Sequence, residues 1–252
     1  MFLALREMRH SKTRFVMIGV IFVLIAWLVF ILSGLGNGLA TLAASTFKNM
    51  DADYVVFEQG SDAAMGKSLL SNELTAQLLE MPNVEDASPM GIIMGSAVKE
   101  SDNPNGEKVG VAIIGIEPGS FLEPEVTEGT GLSADQPTCV IVNETMKDDG
   151  FALGDTFELD GTTAALTIVG FVKNQTYNHV TSVFIPIEEW RKLAFAAPGS
   201  DKGIREPVNA IMLQGKNIDP EAIDERLPGT ETVTRAGAVM GISATRKRAA
   251  PS

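Results

Sequence analysis

The sequence predicts an α+β protein with one N-terminal transmembrane helix followed by a two-lobed extracytoplasmic domain. Two observations carry this. Residues Phe15 to Leu35 contain no charge, and beyond residue 53 short β-branched and aromatic runs alternate with short capped helical patterns.

At 1.5 Å rise per residue the uncharged run is about 31 Å long, matching the roughly 30 Å hydrocarbon core of a bilayer. A secretory signal would have a shorter apolar region and a small-residue cleavage site, of which "TLAAS" at 41–45 is a weak version. A buried core helix would need a larger and less polar soluble domain around it. The run is therefore read as an uncleaved span over 15–35, and the lipid bilayer as a partner.

Arg6, Arg9, Lys12 and Arg14 precede the span with only Glu7 opposing them, and the first charge after it is Lys48. The positive-inside rule then puts residues 1–14 in the cytoplasm and the remainder outside the cell membrane. The chain carries −12 overall and +3 in residues 1–35, which leaves −15 for the rest. Such an acidic ectodomain argues against nucleic acid and against docking on anionic lipid. The lone cysteine, Cys139 in "TCVIVN", has no partner for a disulfide and reads as a small buried hydrophobe rather than a reactive thiol.

Leu39, Leu42, Ala43 and Phe47 keep a helical spacing that extends the span outward as a stalk over 36–52. "DYVVFE" at 53–58 switches to a strand. "SNELTAQLLEMPNV" reads as a helix capped by Asn72 and closed by Pro82, followed by strands at 90–98 and 108–116 and a Pro118-Gly119 turn. "PTCVIVNETMKDDGFALGDTFELDG" reads as a strand, a short helix capped by Asn143 and stopped at Gly150, then a strand from Thr156 closed by Asp160-Gly161. "LTIVGFV" at 166–172 pairs beside it. "SVFIPIEEWRKLAF" is a strand leading into a helix with Pro186 at its start, "VNAIMLQG" a strand, and "DPEAIDERL" a helix capped by Asp219 with Pro220 at its first position.

Catalytic motifs are missing. The only histidines are His10 and His179, too few for a multi-histidine metal site, and no HExxH, CxxC or GxSxG occurs. The reading is of a protein that is not an enzyme and holds no cofactor or metal. "GSDAAMGKS" at 60–68 has five residues between Gly60 and Gly66 where a phosphate loop has four, so it is read as a polar surface loop. Asn143-Glu-Thr145 and Asn174-Gln-Thr176 match the glycosylation tripeptide, a pattern common by chance. The Gly34-x-x-x-Gly38 pair at the outer end of the span is a candidate helix-packing site, or else a flexible helix end.

The order and spacing of "ALREMRHSKTRF", "GIEPGSF", "GFALGDTFEL", "IVGFV" and "VFIPIEEW" resemble the MacB/FtsX-like permease subunits of ABC transporters, over roughly residues 1–235. "GIEPGSFLEP" and "NQTYNHVTSVFIPIEEW" are most similar to the haem-efflux branch, HrtB-like or DevC-like. The resemblance implies a MacB-like core domain over 53–235. It also implies a permease homodimer, a cytoplasmic ABC ATPase on a separate chain, and mechanical release of haem or another amphipathic substrate. Met17 or His179 could then be imagined as iron ligands, although their spacing does not support it. Members of the family have four membrane helices, three of them after the external domain. Here "TVTRAGAVMGI" runs into a divergent basic tail over 236–252, so a truncated, frameshifted or engineered end is expected. The alternative is a single-pass anchored binding or sensor domain without transport activity.

Overall fold

The structure, a computed structural model, describes residues 12–43, 49–99, 108–162, 164–177 and 180–239. The chain divides into two compact units, Met1–Ala43 and Ala44–Ser252. The first holds one helix, α1 (Lys12–Ala43), of 32 residues. From Met17 to Leu32 every large apolar side chain of α1 lies exposed, on all faces of the helix. Among the described residues no helix is long and apolar enough to cross a membrane, the described side chains of α1 ending at Leu32.

The second unit is built on one 11-stranded sheet. Strand β1 (Tyr54–Glu58) lies between β12 (Ala210–Gln214) and β13 (Thr230–Thr234), antiparallel to both. Next to β12 comes β3 (Asp86–Lys99), whose 14 residues let one edge pair first with β12 and then with β7 (Thr156–Leu159). The other edge of β3 pairs along β4 (Val109–Ile116). The order continues through β10 (Val180–Pro186), β6 (Cys139–Asn143) and β8 (Ala165–Val172), with the β4–β10 and β6–β8 pairs parallel. Since β7 bonds to both β8 and β3, six strands close into a ring, and β5 (Val126–Gly129) extends the free edge of β8. A two-residue pair of β2 (Leu70–Ser71) and β11 (Pro207–Val208) forms a second sheet, and β9 (Thr176–Tyr177) makes a hairpin with β10.

Alternation along each strand sorts the core into two clusters. Ala97, Val111, Val183, Val140, Leu166 and Phe157, one from each strand of the ring, belong to one cluster. Their neighbours Ala112, Ile114, Ile141 and Phe184 belong to the other, on the opposite face. Helices cover the sheet: α2 (Glu73–Leu79) on β3, α3 (Ile187–Ala194) on β3 and β4, α4 (Pro220–Arg226) on β13, and α5 (Arg235–Val239) after β13. In α3 the acids Glu188 and Glu189 occupy the first turn and Arg191 and Lys192 the last, matching the helix dipole.

Local signals and final geometry differ at several points. Asp219 caps α4 as expected, its Oδ1 accepting from Glu221 N at 3.1 Å and Ala222 N at 3.4 Å. Asn72 makes no such bond, because its Oδ1 takes the Thr75 hydroxyl at 3.0 Å instead. Asn143 precedes a single 3-10 turn (Glu144–Lys147), and its Oδ1 accepts from Gln175 N at 3.2 Å, across to a neighbouring loop. Strand β3 starts at Asp86 rather than 90 and runs through Pro89, held there by Ile211 as register partner. "VNAIMLQG" breaks at Asn209, which leaves β11 in one sheet and β12 in the other.

Candidate functional site

Tyr54 of β1 and Thr234 of β13 are register partners, so the start of the first strand of the second unit lies beside the end of its last. The crossing is tied by several bonds. Asp53 N donates to Leu213 O at 2.8 Å and Arg235 N to Asp53 O at 2.9 Å, while Asp53 Oδ2 accepts from Gly215 N at 3.0 Å. The Arg235 guanidinium donates to Met50 O, and Gln214 Nε2 to Asp51 O at 2.7 Å. Asn49 Nδ2 donates to Asn174 O at 2.7 Å, reaching the loop after β8. Met50 itself is buried, packed in the second core cluster. A force on residues 49–53 therefore meets β12, β13 and the β8–β9 loop together.

Two clefts of opposite charge open on this unit. The first, of about 370 Å³, adjoins the crossing and is lined by Asp51, Glu123, Glu125 and Lys173 among others. Glu123 is structurally occupied, with Oε2 accepting from Gly119 N at 2.7 Å and Oε1 from Leu132 N at 2.8 Å. The second, of about 500 Å³, has walls from the 66–69 loop, the middle of β3, Tyr177, the end of α3 and the 200–202 loop. Its apolar lining comes from both faces of β3, Ile92 and Met94 from one and Trp190 and Phe195 from the other, and among the described residues its charged lining is Lys67 and Lys202. The volume falls in the range of small-molecule sites.

The walls of this second cleft are fixed in place. Asn209, at the break between the two sheets, accepts from Ile92 N at 2.7 Å through Oδ1 and donates to Ser68 O at 2.9 Å through Nδ2. Ser68 Oγ in turn accepts from Glu58 N at 2.9 Å, and the Glu58 carboxylate accepts from Leu69 N at 3.1 Å. The Trp190 indole meets the Phe195 ring edge-on, with centroids 5.6 Å apart, and its Nε1 has no acceptor among the described residues. Behind α3, Arg191 Nε donates to Pro207 O at 3.3 Å and Nη1 to Glu188. Burial raises the Glu117 carboxyl above its ordinary range, against the pull of the Arg191 charge. Burial likewise raises the Tyr177 phenol above its ordinary value.

The loop read as polar surface is half inside. Ser61, Ala63, Met65 and Ser68 are buried, and positive φ at Asp62 and Ala63 turns the chain inward. Its backbone N–H groups bond within the loop, from Ala64 to Ser61 O, Lys67 to Ala64 O and Ser68 to Met65 O, so they do not converge on a phosphate. Of the other sequence candidates, Gly34 and Gly38 both fall within α1. Met17 is exposed on the same helix, and His10 and His179 lie outside the described residues. Among the described residues no group of three metal-ligating side chains occurs. Sequence reading missed Asn209, Arg235 and the second cleft, whose parts are far apart in the chain.

The fold and sequence match known proteins. An uncharacterised ABC transporter permease of Mycobacterium tuberculosis is 30% identical over 197 residues, 77% of this chain and 53% of that protein. The HrtB protein of Staphylococcus epidermidis, named a possible hemin transport system permease, is 25% identical over 73% of this chain and 49% of its own length. The chain thus spans about half the length of the curated relatives it matches. The crystal structure of the periplasmic region of MacB from Actinobacillus actinomycetemcomitans superimposes with a TM-score of 0.53 at 14% identity, covering 81% of this chain and 97% of that one. The family model of the MacB-like periplasmic core domain matches residues 15–229, and this chain belongs to that family of ABC transporter permeases.

Proposed function

We propose that the chain serves as a permease subunit of an ABC-type efflux transporter, moving haem or another amphipathic compound by mechanical motion driven from a separate ATPase chain. The observation that carries the reading is the Tyr54–Thr234 pairing. A domain inserted between membrane segments must receive and return the chain on one side, and a tied crossing is where motion of a stalk would reach the sheet.

In this reading α1 is the membrane span, with residues 1–14 cytoplasmic and the second unit outside the cell membrane. The uncharged Phe15–Leu35 run and apolar residues on all faces of the helix support it. The stalk is assigned to 36–52, of which 44–48 lie outside the described residues, and Gly34 and Gly38 let a second copy approach closely in a homodimer. Haem as cargo rests on the likeness to the HrtB proteins, named for hemin transport. ATP hydrolysis would reside in the cytoplasmic partner, and the chain itself would catalyse nothing. The second reading, a membrane-anchored binding or sensor domain, draws on the preformed second cleft, which needs no ATPase.

The test has two arms. Glu225→Cys, on an exposed face of α4, is introduced into a Cys139→Ala background and treated with an impermeant thiol reagent. Intact cells should label, and labelling only after lysis would reverse the topology. In nanodiscs, the chain should bind an ABC ATPase from the same genome and raise its ATP turnover. Correct topology with no ATPase binding would leave the anchored-sensor reading.

A further inference from the structure

The second cleft stands out because of what surrounds it. The sequence beyond residue 35 carries an excess of fifteen negative charges, from −12 overall and +3 before it. Among the described residues the lining of this cleft nevertheless holds no acid and two lysines. Lys202 has no ion pair among the described residues, and Lys67 is held only by Asp62, an exposed pair at 3.4 Å. The same lining includes Met94, a large side chain left 51% exposed on β3. Scattered apolar exposure is ordinary, but here it coincides with a concave, pinned wall and a local reversal of charge.

We propose that this cleft binds an amphipathic anion, an apolar body carrying a carboxylate or similar group. The apolar part lies along the edge of β3 left unpaired between β12 and β7, against Met94 on one face and Phe195 on the other, and the anion pairs with Lys67 and Lys202 of the same lining. Asn209 and Glu58 hold the 66–69 wall before any ligand arrives, so little ordering is required on binding. The acidic remainder of the domain repels anions elsewhere, which makes the lysine rim selective. The inference goes beyond the transport reading and does not rest on it, because binding is read without transport.

Trp27 and Trp190 are the only tryptophans, so Trp27→Phe leaves Trp190 as the sole emitter. The full chain carrying that change, in zwitterionic nanodiscs, is titrated with 8-bromooctanoate, whose bromine quenches a nearby indole at short range without needing it exposed. Saturable quenching is expected. It should weaken with added salt and be largely absent for 8-bromooctyltrimethylammonium, which has the same tail and the opposite charge. Lys67→Gln with Lys202→Gln should lower affinity about fivefold, the size expected for two exposed charge pairs. Non-saturating quenching, equal quenching by both probes, or unchanged affinity in the double variant would overturn the proposal. Repeating the titration with phosphatidylglycerol in the discs separates two sources of the anion: competition assigns it to the bilayer, and its absence to a soluble amphiphile.

Discussion

Gly91 on β3 and Gly115 on β4 are register partners, and together they leave the flat area on which Trp190 lies. A Cβ at Gly91 would sit 2.3 Å from Trp190 Cε2, and one at Gly115 2.5 Å from Trp190 Cβ. The fully buried indole is thus seated directly on the sheet, and α3 with it. The wall of the second cleft inherits its position from two missing side chains.

Gly115→Ala or Gly91→Ala should therefore destabilise the domain by about 1–3 kcal/mol, the usual cost of overpacking a filled core. Urea unfolding in the Trp27→Phe background measures this, and the Trp190 emission should shift as the ring is displaced. Gly66→Ala, where a Cβ meets nothing within 4 Å, is the control and should change stability by less than about 0.5 kcal/mol. Equal effects at all three positions would mean that Trp190 is not seated as described.

Asp219 is the one predicted cap whose side chain takes up free helix N–H groups. Asp219→Ala should cost about 1 kcal/mol, and Asp219→Asn much less, because its amide oxygen still accepts. The same substitution at Asn72 should matter less, since the Asn72 side chain bonds Thr75 rather than the α2 backbone. Thermal melts of the three variants check the ranking.

A pH dependence is expected from Asp224, which links α4 to β13. Its Oδ1 accepts from Thr232 N at 2.9 Å and Thr232 Oγ1 at 2.7 Å, yet burial outweighs these bonds and raises its pKa above the ordinary 3.8. The folded state then holds the proton more tightly than the unfolded chain. Stability from this group is greatest below the ordinary value and falls as pH rises from there through the raised one. Asp224→Asn should remove that falling limb. Unfolding free energies of the parent and Asp224→Asn, compared from pH 3 to pH 7, should differ in slope within this window and run parallel above it.

What the sequence made legible was local. β1, β4, β8 and the β10–α3 junction carry β-branched runs, Pro and Gly punctuation or a charged helix turn, each contained within about ten residues. The family likeness rested on the order of such pieces. β13 was not legible, because "TETVT" has a single large hydrophobe, and Thr230 and Thr232 are buried through the packing of the strand with β1 and α4. The ring was hidden too, since β3 must change partner from β12 to β7 along one edge. The second cleft joins Lys67 to Lys202, and no short window of sequence contains both. The 60–68 loop looked exposed because its residues are small and polar, but positive φ turns several of them inward.

The crossing of the chain ends gives the last prediction. The sequence placed the core at 53–235, whereas the structure buries Met50 and bonds its carbonyl to the Arg235 side chain. A fragment beginning at Ala52 loses that side chain, whose burial is worth about 1.5–3 kcal/mol, and leaves the Arg235 guanidinium without this acceptor. A fragment over 49–239 should therefore unfold at clearly higher urea than one over 52–235. In the longer fragment Arg235→Ala should cost about 1.5–3 kcal/mol, and amide exchange should quicken at residues 50–54 while the ring strands keep their protection. That pattern would show the crossing to be a local clamp that can loosen without the sheet unfolding, as a stalk transmitting motion requires. Equal stability of the two fragments, or exchange that rises evenly over the whole domain, would deny the crossing that role.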